Sequence, residues 1–170
     1  MRVVLLAVTT LDGKIARHTD ELTTWSSRED KQLFARVTRE AGVCVMGRHT
    51  YETMTRPLPD RLNLVMTRSL PTSTPPPGVE FTDARPAHVL EDLAQRGYST
   101  VVVSGGAQIY RAFLEAGLVD ELLLTLEPMS FGAGISLFGD DKPLEHRFTL
   151  LELQRLNEST LHLRYRVNRE

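Results

Sequence analysis

Short apolar runs alternate along the chain with amphipathic stretches whose apolar residues recur every three to four positions. Runs of this length are typical of buried strands, and the stretches between them are typical of helices that end at glycines such as Gly97 and Gly117. The alternation predicts an α/β fold, a mostly parallel sheet with helices on both faces. The predicted strands span residues 3–8, 43–46, 62–66, 100–103 and 121–126, and the predicted helices span 26–41, 49–54, 86–95 and 107–116.

The end of the chain departs from this alternation. Two strand patterns, residues 147–156 and 160–167, flank the turn Asn157-Glu158-Ser159. Two strands joined by a short turn form an antiparallel hairpin, so we expect one at an edge of the sheet. We expect residues 1–170 to form a single domain, since 170 residues is an ordinary size for one.

Charge and cysteine content narrow the function classes. Lys and Arg number 20 and Asp and Glu 22, a net charge of −2, which argues against a general binder of nucleic acid or membrane surfaces. The single cysteine, Cys44, excludes an intramolecular disulfide and is predicted to be a buried thiol, which favours a reducing, cytoplasmic location. The five histidines are scattered, and we expect no metal site.

One polar segment, Ser104-Gly105-Gly106-Ala107-Gln108-Ile109, follows a predicted strand and opens a helix. Open parallel sheets bind ligands beyond the carboxyl ends of their strands, and a glycine pair lets a ligand approach the backbone where a helix starts. The dinucleotide fingerprint G-x-G-x-x-G is absent from the chain. A tight strand-to-helix turn is the alternative interpretation.

Two further strand ends carry an arginine beside hydroxyl groups. Gly47, Arg48 and Thr50 follow one predicted strand, and the tripeptide Thr67-Arg68-Ser69 follows the next. Arginine pairs with phosphate, so these segments suggest a dinucleotide, with Arg68 suited to the 2′-phosphate of NADP. A solvated arginine is the alternative at both positions.

The start of the first predicted helix, Trp25-Ser26-Ser27-Arg28-Glu29-Asp30, contains two overlapping capping patterns. Ser26 with Glu29 fits a capping box, and Ser27 with Asp30 fits a weaker one. Asp30 is then either a surface carboxylate that favours the helix dipole or a buried acid that faces a pocket.

Four segments in this order and spacing carry a family resemblance: Leu11-Asp12-Gly13-Lys14-Ile15-Ala16, Met46-Gly47-Arg48-His49-Thr50-Tyr51-Glu52, Ser104-Gly105-Gly106-Ala107-Gln108-Ile109-Tyr110 and Ala116-Gly117-Leu118-Val119-Asp120-Glu121-Leu122. Over nearly its whole length the chain resembles the dihydrofolate reductase superfamily. Within it, the chain is most similar to the reductase domain of the bifunctional riboflavin-biosynthesis deaminase–reductase, as a domain without the deaminase.

The resemblance implies hydride transfer from NADPH. It implies that Gly105 and Gly106, often joined by a cis peptide, lie beside the cofactor together with Ala107, Gln108 and Ile109. The phosphates would be held at Gly47, Arg48 and Thr50, and the adenosine end by Thr67, Arg68 and Ser69. Thr9 and Trp25 would lie near the nicotinamide.

The same resemblance implies roles in substrate binding. Dihydrofolate reductases carry an acid five residues after a pocket tryptophan, and Asp30 stands in that relation to Trp25, with Phe34 following as a ligand contact. In the riboflavin-pathway relatives, contacts come from the loop before the tryptophan and from a late helical arginine, which makes Thr23 and Arg39 candidates. Ser104 stands where those relatives usually carry an acidic residue.

The sequence therefore predicts an NADPH-dependent reductase of a small nitrogen heterocycle. The favoured substrate type is the 5-amino-6-(5-phosphoribosylamino)uracil of riboflavin biosynthesis. Alternatives are dihydrofolate, an unrelated carbonyl or imine, and nucleotide binding without catalysis. The resemblance also implies a homodimer. Five apolar residues on the final hairpin fit either that interface or the core: Leu150, Leu151, Leu153, Leu161 and Leu163.

Overall fold

A computed structural model describes residues 1–139 and 142–168, and it has the mixed α/β architecture that the alternating pattern predicts. The strands are β1 (Arg2–Thr10), β2 (Lys14–Ala16), β3 (Val43–Gly47), β4 (Leu62–Met66), β5 (Val79–Thr82), β6 (Thr100–Val103), β7 (Glu121–Glu127), β8 (Ile135–Ser136), β9 (Phe148–Arg155) and β10 (Leu161–Val167). The helices are α1 (Arg28–Ala41), α2 (Arg48–Glu52), α3 (Pro86–Gln95) and α4 (Ala107–Glu115).

Eight of the strands form one sheet in the order β5-β4-β3-β6-β1-β7-β10-β9. The first six in that order are parallel, with Val3 beside Val101 and Leu5 beside Leu122. Strand β10 runs antiparallel to both β7 and β9, which confirms the predicted hairpin at one edge of the sheet. A separate two-stranded sheet pairs β2 with β8.

Helices cover both faces of this sheet because its central strands are apolar on both sides. Successive side chains of a strand point to opposite faces, so Leu5 and Leu6 of β1 enter different clusters. Leu5 packs with residues of α3 and α4, such as Leu93 and Phe113, and Leu6 packs towards Phe34 of α1. These two layers fix the helix starts that surround the carboxyl ends of the parallel strands.

The boundaries differ from the prediction in a few places. Helix α1 begins at Arg28, two residues later than predicted, because Ser27 is its N-cap and accepts a hydrogen bond from the amide of Asp30 at 3.2 Å. Strands β2, β5 and β8 are absent from the predicted set. Across residues 1–139 and 142–168, the structure contains no helix with the length and apolar character required to cross a bilayer.

Candidate active site

A cavity of about 1250 Å³ lies where the parallel strands end. Fifteen residues expected from the sequence to bind ligand or act in catalysis line it: Thr23, Asp30, Phe34, Gly47, Arg48, Thr50, Thr67, Arg68, Ser69, Ser104, Gly105, Gly106, Ala107, Gln108 and Ile109. They come from different strand ends and from α1, so the topology brings together segments far apart in the chain.

The glycine-pair turn and the turn after β3 form one surface. The amide of Gly47 donates a hydrogen bond to the carbonyl of Gly105 at 2.7 Å, and the Gly105–Gly106 peptide is cis. Gly105 has a φ of 120°, and a Cβ on Gly47 would lie 3.0 Å from Ile109 Cγ1. Side chains at these positions would meet neighbouring atoms, so the glycines allow the two turns to approach each other.

Buried polar contacts fix this surface from below. The hydroxyl of Tyr110 on α4 donates to the carbonyl of Leu6 on β1 at 2.7 Å, and burial raises its pKa well above the ordinary value. The thiol of Cys44 donates to the hydroxyl of Ser104 at 3.0 Å. Cys44 is fully buried, as predicted, and burial raises its pKa to about 11, so it stays a neutral thiol.

One end of the cavity is cationic. Arg48, Arg56, Arg68 and Arg85 are exposed residues that line it, following β3, α2, β4 and β5. Arg48 lies 3.6 Å from Glu52, and its side chain is 46% exposed, which leaves it available to a ligand. No side chain caps the amino terminus of α4, so its first amides add positive potential on the same cavity.

A buried acid lies on the other side of the cavity. Asp30, in the first turn of α1, is 7% exposed and lines the cavity, which decides between the two interpretations left open by the sequence. Burial raises the pKa of Asp30, the hydroxyls of Thr125 and Ser26 lower it, and the charge of Glu127 raises it further. The resulting rise favours a protonated carboxyl that can donate a proton.

Three of the residues expected in the site do not line the cavity. Thr9 is 1% exposed and pairs with Leu126 inside the sheet, and Trp25 packs edge-on against Phe131 with ring centroids 5.1 Å apart. Arg39 is 53% exposed, with Asp60 3.7 Å away. It follows Asp30 by nine residues of helix, about 13 Å along the axis and on the opposite side, which agrees with its absence from the lining of the cavity.

The sequence-based interpretation missed one wall of the cavity, the segment from Met54 to Pro59, which includes Arg56. Buried Asn63 on β4 holds this segment: its side-chain oxygen accepts from the amide of Leu58 at 2.9 Å, and its amide group donates to the carbonyl of Leu58 at 2.9 Å. A polar residue inside the otherwise apolar run of β4 was the available signal.

Comparison with known proteins gives the family. Residues 2–162 match the model of the RibD C-terminal domain. The dihydrofolate reductase HdrB of Haloferax volcanii is 36% identical over 126 residues, which cover 70% of this chain and 63% of that protein.

Solved structures show the same fold. A pyrimidine reductase-like protein from Corynebacterium diphtheriae is 19% identical, with a TM-score of 0.78, 99% of this chain covered and 92% of that one. A diaminohydroxyphosphoribosylaminopyrimidine deaminase/5-amino-6-(5-phosphoribosylamino)uracil reductase from Thermotoga maritima is also 19% identical, with a TM-score of 0.77. This alignment covers 98% of our chain but only 56% of the Thermotoga protein. The chain therefore belongs to the RibD C-terminal domain family and is an oxidoreductase with a dihydrofolate-reductase-like fold.

Proposed function

We propose that this protein is an NADPH-dependent reductase, acting as one domain, that transfers a hydride to a small nitrogen heterocycle. One observation carries the proposal: a single cavity has a buried carboxyl, Asp30, on one side and four arginines on the other. Asp30 lies beside Thr125 of β7, and Arg68 follows β4, which is four places away in the sheet. The spacing of strands puts these two positions about 19 Å apart. An extended dinucleotide phosphate with a heterocycle at its far end suits that distribution of charge.

The donor groups around the cavity fit this cofactor. Arg48 and Thr50 would hold its phosphates beside the uncapped start of α4, and Arg68, between Thr67 and Ser69, would hold the 2′-phosphate. The closely approaching backbone of Gly105 and Gly106 would let its flat ring lie against the turn. When bound, NADPH supplies the hydride.

Asp30 is the acid of the proposed reaction. Hydride addition to a C=N bond leaves a negative charge on nitrogen, and a proton must reach that nitrogen. The buried carboxyl of Asp30, whose pKa is raised by burial, would donate it, and Phe34 one turn further along α1 would contact the heterocycle. The protein would contribute mainly by holding the donor carbon, the acceptor carbon and this acid in line.

Two heterocycles compete as substrate. The buried acid favours a dihydropterin, whose ring C=N needs a proton donor, and this agrees with the similarity to HdrB. The aminopyrimidine of the riboflavin pathway is the second candidate, favoured by the match to the RibD C-terminal domain. Arg39, the residue expected to bind the ribose phosphate of that substrate, does not line the cavity, which is the reason for placing this candidate second.

Cofactor choice is tested by Arg68→Ala. Loss of a charge-assisted contact to the 2′-phosphate should raise the Kd for NADPH about 10–100-fold, since such a bond contributes about 1.5–3 kcal/mol, and should leave the Kd for NADH within about twofold. Both constants are measured by calorimetric titration of the purified protein. Arg96→Ala, at an arginine paired with Glu80 and Asp92 outside the cavity, is the control. An unchanged preference between the two cofactors would contradict the assignment.

The substrate is tested by following NADPH oxidation with dihydrofolate and with the phosphoribosylated aminopyrimidine in parallel. We expect turnover of dihydrofolate, and we expect Arg39→Ala to keep the wild-type KM. Turnover of the aminopyrimidine alone would replace the first candidate with the second. NADPH binding without oxidation by either compound would contradict the reductase proposal for both substrates.

We also propose that the protein is a homodimer in a reducing, cytoplasmic compartment. The support for the dimer is strand β9, an edge strand on which Leu150, Leu151 and Leu153 are exposed, whereas Leu163 on β10 is buried in the core. The support for the compartment is the buried free thiol of Cys44, which is compatible with reducing conditions.

A further inference from the structure

A second carboxylate lies buried behind the cavity. Glu127, the last residue of β7, is 4% exposed and does not line the cavity. Its Oε1 accepts a hydrogen bond from the amide of Ser27 at 2.7 Å, and its Oε2 accepts one from the hydroxyl of Thr160 at 2.9 Å. A buried carboxylate is costly unless its oxygens are satisfied, and here each oxygen has a donor.

The contact with Ser27 reaches Asp30 in one step. Ser27 is the N-cap of α1, and its hydroxyl accepts a hydrogen bond from the amide of Asp30 at 3.2 Å. Glu127 therefore binds the backbone amide of Ser27, and the hydroxyl of Ser27 binds the backbone amide of Asp30. A chain of two hydrogen bonds thus connects Glu127 to the backbone of Asp30.

The contact with Thr160 ties the same carboxylate to the turn between β9 and β10. In this turn, the side-chain oxygen of Asn157 accepts a hydrogen bond from the amide of Thr160 at 2.8 Å. The NH₂ group of Asn157 donates one to Glu29 Oε2 at 3.2 Å. The hairpin thus contacts the first turn of α1 directly through Asn157 and indirectly through Glu127. The first turn of α1, which carries Asp30, is thus held by the end of β7 and by the turn between β9 and β10.

The charge of Glu127 also acts on Asp30. Like charges disfavour ionisation, so Glu127 raises the pKa of Asp30, whereas Lys31 on the same helix lowers it. Two further titratable groups face this region: Tyr110 on α4, and His162 on β10, whose Nδ1 lies 3.4 Å from Thr125 Oγ1. Lys31 directs its ammonium group to the carbonyls of Thr24 and Ser26 at 3.2 and 2.8 Å.

We propose that Glu127 is a positioning residue for the acid of the reaction: through Ser27 it holds the first turn of α1, which carries Asp30, and it places a second carboxylate behind that acid. This inference rests on the proposed function, in which Asp30 donates the proton. It assigns two separable effects to one side chain, because the hydrogen bonds depend on its shape and the repulsion depends on its charge.

Glu127→Gln separates these effects. Glutamine keeps an oxygen for the amide of Ser27, and its NH₂ group can donate to the hydroxyl of Thr160, so the bonds survive while the charge is removed. We expect the midpoint above which kcat declines with rising pH to fall by about 0.5–1.5 units, which lowers kcat about 3–30-fold above that midpoint. The Kd for NADPH should stay at its wild-type value.

The matched control is Glu121→Gln at the other end of β7, where Glu121 pairs with Arg2 and Arg164. It makes the same change of charge on the same strand and should leave the midpoint unchanged. Glu127→Asp keeps the charge but is one methylene too short to reach both donors. It should keep the midpoint and lower kcat. If Glu127→Gln does not fold, a wild-type kcat in Glu127→Asp overturns the positioning role.

A second measurement does not need turnover. The ionisation of Asp30 is followed by the NMR shift of its carboxyl carbon in labelled protein, in the wild type and in the Gln variants at 121 and 127. An Asp30 midpoint that falls only in Glu127→Gln supports the inference, whether or not a substrate is reduced. Failure to reduce any substrate would instead contradict the proposed function. An Asp30 midpoint that is the same in all three folded proteins overturns the inference.

Discussion

Asp30 shows how one residue serves the helix with its backbone and the cavity with its side chain. Its amide donates to Ser27, which caps α1, while its carboxyl is buried at the cavity. The sequence pattern left open whether this carboxyl lies at the surface or in a pocket, and in the structure it is buried at the cavity while the backbone takes part in the cap. An exposed acid at a helix start would be stabilised as a carboxylate by the helix dipole. Here burial outweighs the hydrogen bonds that lower the pKa, and the pKa of Asp30 is raised.

Asp30→Asn should lower kcat about 10²–10⁴-fold at neutral pH, because the amide cannot supply a proton. It should also raise Tm at neutral pH. With its pKa raised in the folded state, Asp30 binds its proton more tightly there than in the unfolded chain, so ionisation costs stability as pH rises from about 4 through the folded pKa.

Thermal melts at several pH values check the second effect. The Tm difference between Asp30→Asn and the wild type should shrink towards pH 3, where the unfolded carboxyl is also protonated. Near-normal kcat, or a Tm that does not rise at neutral pH, would contradict the corresponding half of the prediction.

At the residue scale, the position of Arg39 relative to Asp30 was predictable from the sequence. Its place on a helix followed from the pattern, and helical geometry alone puts it on the side opposite Asp30. Trp25 was not predictable in this way, because its neighbour Phe131 comes from a loop more than a hundred residues later, and only the folded chain brings the two rings together.

At the scale of elements, the strands and helices with strong periodicity were predicted well. Strand β4, helix α3 and strand β6 have the predicted bounds. The strands that were missed are short: β2 and β8 contain three and two residues and pair only with each other, and β5 follows a proline-rich stretch. Strands this short contain too few residues to show a periodic pattern, and their structure depends on pairing in the folded chain.

Strand β4 also supports the cavity wall that follows α2. Asn63 makes four hydrogen bonds there, to Leu58 in both directions and to the carbonyls of Arg61 and Gly78. Because Asn63 is fully buried, Asn63→Ala would leave several backbone groups without partners. We expect a loss of about 2–5 kcal/mol in unfolding free energy and a raised KM for the heterocycle.

Urea titration and steady-state kinetics measure the two effects of Asn63→Ala. Asn63→Asp is the matched variant, because its carboxylate keeps the acceptor for the amide of Leu58 and loses the donors. Its second carboxylate oxygen would face the carbonyls of Leu58, Arg61 and Gly78, so its KM should rise at least as far as that of Asn63→Ala. A wild-type KM in Asn63→Ala would show that the wall is held without this side chain.

At the scale of the whole molecule, one edge of the sheet exposes apolar side chains. At the β9 edge, Leu150, Leu151 and Leu153 are 48%, 44% and 58% exposed. Exposed apolar side chains on an edge strand invite pairing with a second sheet. Leu153→Lys should shift the protein from dimer to monomer in light scattering and leave Tm within a few degrees at high concentration. A monomeric wild type would contradict the proposed dimer.

The hairpin that carries this edge has a consequence for the order of synthesis. The bonds that hold the first turn of α1 join residues 100 and 128 positions apart, Ser27 to Glu127 and Glu29 to Asn157. Translation runs from the amino to the carboxyl terminus, so Asp30 leaves the ribosome long before its supports exist. A nascent chain stalled before β7 would contain every cofactor contact proposed above, but neither Glu127 nor Asn157, and its acid would be loosely held. Catalytic competence would therefore arrive with β7 and the hairpin that follows it, after the segments of the nucleotide site have been made.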